Sequence, residues 1–195
     1  MARLLLIKHS LPELVHSQPA AVWRLSAEGR TRCQALAAAV APYQPAQVFA
    51  SVEPKAAETA HLLAAQLGLP WQAAPGLHEH ERRTTPWLDA PEFAAQVARC
   101  FAQPSTLVLG EETADQAHSR FAAAVDGLVA AHPGRTLAVV AHGTVISLYV
   151  ARANGLDPLP LWQQLALPSF VVLELPTRKP VQYHFTCDDQ AGQGR

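Results

Sequence analysis

The sequence predicts a three-layer α/β/α sandwich whose central sheet is mostly parallel and carries one antiparallel edge strand. Short apolar runs alternate along the chain with longer segments whose apolar residues recur at helical spacing. That order is typical of parallel strands covered by helices on both faces of the sheet, with right-handed crossovers. Near the end of the chain, two apolar runs are separated only by the proline-bounded segment 176–180, which favours an antiparallel pair.

Length and composition predict a single domain. The 195 residues are 49% hydrophobic and 16% charged, which is a globular composition. A chain of this length buries enough surface to fold without disulfides or a structural metal. We predict one α/β domain over residues 1–187 and a polar, flexible tail over residues 188–195.

Each predicted element follows from its apolar pattern and its flanking residues. Short apolar runs predict strands over residues 4–7, 47–51, 136–141, 170–175 and 181–185. Helical spacing predicts helices over residues 27–41, 55–67, 91–101, 113–131 and 144–154. Ser26 can cap the first helix and Pro42 stops it, while Pro54 and Gly68 suit the first turn and the end of the second. Segment 72–85 has no clear period and is predicted to be a polar loop.

Charge and motif content exclude several functional classes. A net charge of -1 predicts no general affinity for nucleic acid or an anionic membrane. The first residues hold too short an apolar run for a signal peptide, and no run approaches a membrane span. Three widely spaced cysteines, Cys33, Cys100 and Cys187, suggest reduced thiols in a cytoplasmic protein. The sequence has no P-loop, no G-x-S-x-G elbow and no dinucleotide-binding motif.

Two histidines directly follow predicted strands, His9 and His142. In open α/β sheets the site lies beyond the carboxyl ends of the strands, so both imidazoles should lie at one edge. The helices that begin after these strands direct their backbone N–H groups to the same edge, where such ends bind anions. Lys8 and Lys55 add positive charge there. Two imidazoles, two ammonium groups and two helix N-termini together suit a phosphoryl group.

Five segments carry short motifs in a fixed order: Lys8-His9-Ser10, LSAEGR at 25–30, SVEPKAAETA at 51–60, Glu111-Glu112-Thr113 followed by Arg120, and VVAHG at 139–143. They resemble the R-H-G, L-T-x-x-G, S-P-x-x-R-A-x-Q-T-A, G-E-S and V-V-S-H-G motifs of the histidine phosphatase superfamily, branch 1, which includes the cofactor-dependent phosphoglycerate mutases. The resemblance spans residues 3 to about 150. The glutamate and asparagine of the longer R-H-G-E-x-x-x-N motif have no counterpart in this chain.

The resemblance implies roles for the residues at the strand ends. His9 would be the nucleophile that accepts the phosphoryl group, and His142 would donate to its oxygens. Lys8 and Lys55 stand where the family usually has arginine, and a lysine supplies charge without a planar two-donor fork. Ser10 replaces a glycine and either binds the phosphate or fills space. The substrate-binding set also includes Gly143 and Thr144, at the start of a helix, and Arg82.

A proton donor for the leaving group is also implied. Leu77-His78-Glu79 resembles the family's L-x-E segment, which makes Glu79 the first candidate general acid and Glu81 the second. The charged segment 80–87 then either forms a lid that brings Arg82 or Arg83 to the phosphate or is a solvated loop.

The sequence also predicts the positions or contacts of three residues that do not lie at the strand ends. Arg120 is expected to form a structural ion pair with Glu112 or Glu58. Trp23 and Trp87 lie in segments predicted near the mouth of the site.

We therefore expect a phosphomonoesterase that hydrolyses a small phosphorylated substrate through a phosphohistidine, with no cofactor and no metal. A mutase is one alternative, and a phospho-ligand binding domain with a weakened site is another. A metallohydrolase that uses His78 and His80 is a third, although no further ligand is evident nearby. A homodimer is compatible with the sequence, as is a monomer.

Overall fold

The computed structural model describes residues 1–185 and contains six strands and six helices over that range. The strands are β1 (Arg3–Lys8), β2 (Gln47–Ala50), β3 (Trp71–Ala73), β4 (Leu137–Ala141), β5 (Ser169–Glu174) and β6 (Pro180–His184). The helices are α1 (Ala27–Val40), α2 (Pro54–Leu67), α3 (Ala90–Ala102), α4 (Ala114–Ala131), α5 (Gly143–Asn154) and α6 (Pro158–Gln164).

All six strands form one sheet in the order β3-β2-β4-β1-β5-β6. The ladders from β3 through β2 and β4 to β1 are parallel, whereas β5 pairs antiparallel with both β1 and β6. The predicted α/β/α fold class is therefore confirmed. The two late strands form the antiparallel end of the sheet, with β6 at its edge.

Both faces of the sheet are buried, which explains why its central strands read as uninterrupted apolar runs. On β1, Leu4 and Leu6 pack into a core with α4 and α5, while Leu5 and Ile7 pack into a second core with α1 and α2. All four side chains are fully buried. Burial of a leucine or isoleucine contributes about 1.5–3 kcal/mol, so β1 is anchored from both sides.

The helix ends match the capping signals in the sequence. The Ser26 hydroxyl accepts the Gly29 N–H at 2.9 Å, and α1 ends at Val40 in a 3-10 turn that contains Pro42. Gly68 adopts a left-handed φ of 66° at the end of α2. Thr113 and Gln116 form a capping box at the start of α4.

Two elements were not predicted from the sequence. Strand β3 has only three residues, too few to show a period, and it forms because it pairs with β2. Helix α6 contains Pro158 and Pro160, residues that usually argue against a helix, but Pro158 occupies the first helical position. The Asp157 carboxylate caps α6 by accepting the Leu159 N–H at 2.9 Å.

The cysteines in the described range are free thiols. Cys33 and Cys100 are both buried, and burial raises the pKa of the Cys33 thiol to about 11. Cys187 and the predicted tail over residues 188–195 lie outside the described residues. Within residues 1–185, no helix has the length and apolar character needed to cross a bilayer.

The start of α1 is fastened to the segment that follows β1. The Ser10 hydroxyl donates to the Gly29 carbonyl at 2.7 Å, and the Ser26 N–H donates to the Leu11 carbonyl at 3.0 Å. Gly29 packs so closely that a Cβ there would lie 2.0 Å from the Leu11 carbonyl oxygen. A glycine at this helical position therefore sets the path of the chain just beyond His9.

We predict opposite effects for two glycine-to-alanine changes within helices. Gly29→Ala should lower the free energy of unfolding by about 1–3 kcal/mol because its Cβ would collide with backbone. A Cβ at Gly127, in α4, would have no neighbouring atom within 4 Å. Gly127→Ala should therefore raise the free energy of unfolding by about 0.5–1 kcal/mol through its higher helix propensity. Urea denaturation of both variants measures the difference, and equal shifts would contradict the proposed packing role of Gly29.

Candidate active site

Three neighbouring parallel strands place their following residues around one cavity. His9 follows β1, Glu53 and Lys55 follow β2, and His142 follows β4. The cavity has a volume of about 680 Å³, and the segment between β3 and α3 forms its other side. It is lined by His9, Pro12, Pro19, Ala20, Ala21, Val22, Trp23, Val52, Glu53, Pro54, Lys55, Pro75, Gly76, His78, Glu79, His80, Glu81, Arg82, Arg83 and His142.

The geometry around His9 fixes its tautomer. Nδ1 lies 2.7 Å from the Ser10 carbonyl oxygen, which can only accept, so Nδ1 carries the proton. The lone pair is then on Nε2. Burial lowers the pKa of His9 well below 6.5, and the nearby His142 and Lys55 lower it further. His9 is therefore a neutral imidazole with a free nucleophilic nitrogen at neutral pH.

His142 faces His9 across the floor of the cavity. Their ring centroids are 5.2 Å apart, with the planes inclined by 61°. His142 is fully buried, yet neither of its ring nitrogens has a hydrogen-bond partner among residues 1–185. Burial and then the Lys55 charge lower its pKa well below 6.5. An unpartnered buried imidazole is costly, and a bound ligand with oxygen atoms would satisfy it.

Lys55 is held at the start of α2 by two acceptors. Its Nζ donates to the Ala20 carbonyl at 2.7 Å and forms a close ion pair with the Glu53 carboxylate. Burial lowers the pKa of Lys55, whereas Glu53 opposes that shift. The lysine thus lines the cavity as predicted, but it already has an anionic partner.

Glu53 is a site residue that the sequence analysis did not identify. Its side chain is buried, accepts the Glu79 N–H at 2.9 Å through Oε1, and places that oxygen 3.7 Å from His142 Nε2. The available signal was an acidic residue immediately before Pro54, where a helix N-terminus favours negative charge. Instead of capping α2, the carboxylate turns into the cavity.

Glu79 occupies the N-terminus of α5. Its carboxylate accepts the backbone N–H of Thr144 at 3.1 Å, of Val145 at 3.3 Å and of His80 at 2.9 Å. Burial acts to raise the pKa of Glu79, but Arg82, His142 and these backbone donors together bring it below its usual value. Glu79 is therefore ionised at neutral pH.

Four residues predicted to touch a phosphoryl group lie behind the cavity instead of on its lining: Lys8, Ser10, Gly143 and Thr144. Lys8 shares the strand face of Leu4 and Leu6, which is buried under α5, and its Nζ donates to the Leu165 carbonyl at 2.6 Å. Burial lowers its pKa to about 8. A Cβ on Gly143 would lie 3.3 Å from Lys8 Cε, so Gly143 makes room for that side chain.

The other two residues behind the cavity are also engaged by the protein. The Ser10 hydroxyl donates to the Gly29 carbonyl, and the Ser10 N–H donates to Thr59 Oγ1 at 3.0 Å. Ser10 therefore stabilises the loop that follows β1. The Thr144 N–H donates to the Glu79 carboxylate, whereas Thr144 Oγ1 is buried without a hydrogen-bond partner among residues 1–185. The phosphoryl contacts of all four residues stay predictions.

The segment that carries Glu79 is held by one partly buried ion pair and by backbone contacts. Arg120 donates to the carbonyls of Gly76, His78 and Glu79 and pairs with Glu112 at 2.5 Å. The predicted structural ion pair with Glu112 is therefore confirmed.

Arg82 reaches the cavity from the same segment. One of its amino groups lies 3.9 Å from the Glu79 carboxylate, whereas the Arg83 side chain is mostly exposed at the rim. The second candidate acid, Glu81, lies near the rim between His78 and Arg83.

The two histidines considered as metal ligands have other neighbours. His80 Nε2 lies 2.7 Å from the Glu112 carbonyl, and His78 lies 3.2 Å from Glu81. In the described part of the chain, no group of three or more histidine, cysteine or acidic side chains is arranged to hold a metal ion.

Comparison with known families decides the assignment. The model of the histidine phosphatase superfamily (branch 1) matches residues 4–187. The chain belongs to this superfamily. The resemblance noted in the sequence is thereby confirmed, and the match covers nearly the whole chain.

Solved histidine phosphatase structures share the fold at low identity. A mycobacterial glucosyl-3-phosphoglycerate phosphatase in complex with VO3 has a TM-score of 0.76 at 22% identity, with 94% of this chain and 97% of that chain covered. A phosphoserine phosphatase from Entamoeba histolytica in complex with 3-phosphoglyceric acid has a TM-score of 0.76 at 16% identity, with the same coverage. YhfR from Bacillus stearothermophilus has a TM-score of 0.74 at 20% identity, covering 92% and 94%. A comparison with curated proteins gives no match.

The cavity of this member of the superfamily has a lining of balanced charge. Its cationic side chains are Lys55, Arg82 and Arg83, and its acidic side chains are Glu53, Glu79 and Glu81. The numbers of cationic and acidic side chains on the lining are therefore equal, and Lys8 adds its charge from outside the lining, where it acts on His9.

The lowered pKa values of His9 and His142 predict how stability depends on pH. Between their folded pKa values and 6.5, the unfolded chain binds more protons, so the unfolding free energy falls as pH drops through about 6.5. Each histidine contributes a slope of up to about 1.4 kcal/mol per pH unit. Urea denaturation between pH 7.5 and 5.5 should show a shallower slope for His142→Asn than for wild type. Substitution of the exposed His61 is the control, and an unchanged slope in His142→Asn would contradict the neutral buried imidazole.

Proposed function

We propose that this protein is a phosphomonoesterase that hydrolyses a small phosphorylated substrate through a phosphohistidine on His9, without a metal. One observation carries the proposal: His9 has its proton fixed on Nδ1 by Ser10, and its free Nε2 shares a cavity with the unpartnered imidazole of His142. The relatives whose names identify phosphatases support the class of reaction.

In the first step, the lone pair of His9 Nε2 attacks phosphorus and a nitrogen–phosphorus bond forms. The bond between phosphorus and the ester oxygen breaks, and that oxygen leaves with a proton. Lys55, Arg82 and His142 stabilise the charge on the phosphoryl oxygens by hydrogen bonding. The hydrogen bond from Nδ1 to Ser10 stabilises the positive charge that develops on the His9 ring.

Glu79 is our candidate for the group that supplies the proton. Its pKa is lowered by its neighbours in the protein, but a phosphate dianion beside it would raise that pKa by like-charge repulsion. A substrate that arrives with one proton can therefore leave that proton on the carboxylate. Glu53 lines the same cavity and lies deeper than the rim residue Glu81, so it replaces Glu81 as the second candidate.

In the second step, water attacks the phosphorus of the phosphohistidine. The carboxylate that gave its proton to the leaving group takes one from the water, the nitrogen–phosphorus bond breaks, and phosphate is released. His9 returns to its neutral state with Nδ1 still bonded to Ser10.

A phospho-ligand binding domain is the second candidate function. The observation in its favour is the balanced charge of the cavity lining, together with the engagement of Lys8 by Leu165. Such a domain would hold a phosphorylated ligand without transferring its phosphoryl group.

The phosphohistidine can be trapped directly. Rapid quenching of the wild type with a ³²P-labelled ester should give a protein adduct that is stable in base and labile in acid. His9→Ala should lose the adduct and almost all turnover, whereas His61→Ala, which replaces an exposed histidine of α2, should label like wild type. Tight binding of the ester without any adduct would favour the binding domain, and an active His9→Ala would remove His9 as nucleophile.

A second experiment identifies the proton donor. An alkoxide needs a proton to leave and p-nitrophenolate does not, so loss of the general acid should slow alkyl esters about 10²–10⁴-fold more. Glu79→Gln should therefore reduce kcat/KM for 3-phenylpropyl phosphate far more than for p-nitrophenyl phosphate. Glu53→Gln is the matched variant, and selectivity in that variant alone would transfer the role to Glu53. Equal losses for both esters in Glu79→Gln would make Glu79 a structural cap of α5.

A further inference from the structure

A second cavity opens beside the catalytic one. It has a volume of about 550 Å³ and shares five lining residues with the first: Pro19, Ala20, Trp23, Arg82 and Arg83. The two cavities therefore adjoin at these residues. The leaving group of a substrate whose phosphoryl group reaches His9 would point toward the second cavity.

The walls of the second cavity are mainly aromatic and apolar. Trp23, Trp87 and Phe93 line it, together with Leu14 and Leu88. The ring centroids of Trp23 and Trp87 are 6.0 Å apart. Such walls offer flat faces for stacking and apolar surface for burial, and the polar lining residues are His16, Ser17, Gln18, Arg82, Arg83 and Thr85.

Three contacts hold the indole rings in place. The Trp23 Nε1–H donates to the carbonyls of Val15 and Gln18, at 3.0 and 3.1 Å. The Trp87 ring stacks on His16 with a centroid distance of 3.8 Å. Trp87 is nevertheless 48% exposed, and Leu14 is 56% exposed. These are large exposed fractions for apolar residues that flank a site.

Arg82 stands between the two cavities. Its guanidinium lies 4.7 Å from the centre of the Phe93 ring and 3.9 Å from the Glu79 carboxylate. The aromatic wall on one side and the acid on the other thus orient the cation at the boundary. A phosphate oxygen bound by Arg82 would place the attached ester group directly at the entrance to the second cavity.

We propose that the second cavity is a leaving-group subsite that selects phosphomonoesters of apolar alcohols bearing a planar aromatic ring. This inference rests on the proposed phosphatase reaction and names its substrate class. The ring packs against Trp23, Trp87 and Phe93 while Arg82 and His9 bind the phosphoryl group.

The test compares 3-phenylpropyl phosphate with n-propyl phosphate. Both esters release a primary alkoxide, so a difference in kcat/KM reports binding of the ring. The wild type should prefer the phenyl ester by about tenfold or more, and Trp87→Ala should reduce that preference to about threefold or less. Trp71→Ala, on β3 and outside both cavities, is the matched control and should keep the full preference.

Binding of phosphonates separates this inference from the proposed reaction. The affinities of the wild type and of Trp87→Ala for 3-phenylpropylphosphonate and propylphosphonate can be measured by calorimetry. If neither ester is hydrolysed but the phenyl phosphonate binds about tenfold more tightly in the wild type alone, the subsite stands and the phosphatase reaction is wrong. If both esters are hydrolysed with equal kcat/KM, the subsite is overturned and the reaction stands. If neither ester is hydrolysed and the two phosphonates bind with equal affinity, both the subsite and the phosphatase reaction are overturned.

Discussion

The carboxylate of Glu79, bound at the N-terminus of α5, is the contact on which the rest of the site depends. It joins the segment between β3 and α3 to the helix that follows His142. Its own backbone N–H donates to Glu53, which in turn pairs with Lys55. One continuous set of charged hydrogen bonds therefore links the starts of α2 and α5 across the cavity. Each such bond contributes about 1.5–3 kcal/mol, which is a substantial share of the stability of a domain.

In the proposed reaction, the carboxylates that hold the site together oppose the entry of a phosphate dianion. Glu53 is buried and the Glu79 side chain is 12% exposed, so little water screens either charge. A bound dianion would raise the pKa of Glu79 by like-charge repulsion, and the carboxylate would take the proton that the substrate brings. Catalysis by general acid needs that proton on the protein at the moment the ester bond breaks. The balanced lining is thus consistent with turnover, because the ligand itself creates the acid.

The parts of the site that could be predicted from the sequence are those fixed by backbone topology. His9, Lys55 and His142 meet because parallel strands end at one edge, whatever their side chains do. The direction of the Lys8 side chain depends on its hydrogen bond to the Leu165 carbonyl, at the end of α6. Helix α6 was not predicted because it contains two prolines. Glu53 was not identified from the sequence because an acidic residue before a helix normally caps that helix. The structure shows instead that the Glu53 carboxylate accepts the Glu79 N–H. A long side chain can reach several possible hydrogen-bond partners. Which partner it contacts can be determined only when the fold is known.

Arg82 connects the chemistry of the two cavities. A lysine such as Lys55 offers a point charge, whereas a guanidinium presents donors in a plane and can also lie over an aromatic ring. Arg82 uses both properties, with Phe93 under its plane and Glu79 near one edge. One of its amino groups, Nη1, is buried without a hydrogen-bond partner among residues 1–185, so a donor is free for a ligand oxygen. In the proposed reaction, the Phe93 ring orients that donor toward a phosphoryl oxygen. The proposed leaving-group subsite and the phosphoryl site would therefore share Arg82, and a change in the aromatic wall would affect both.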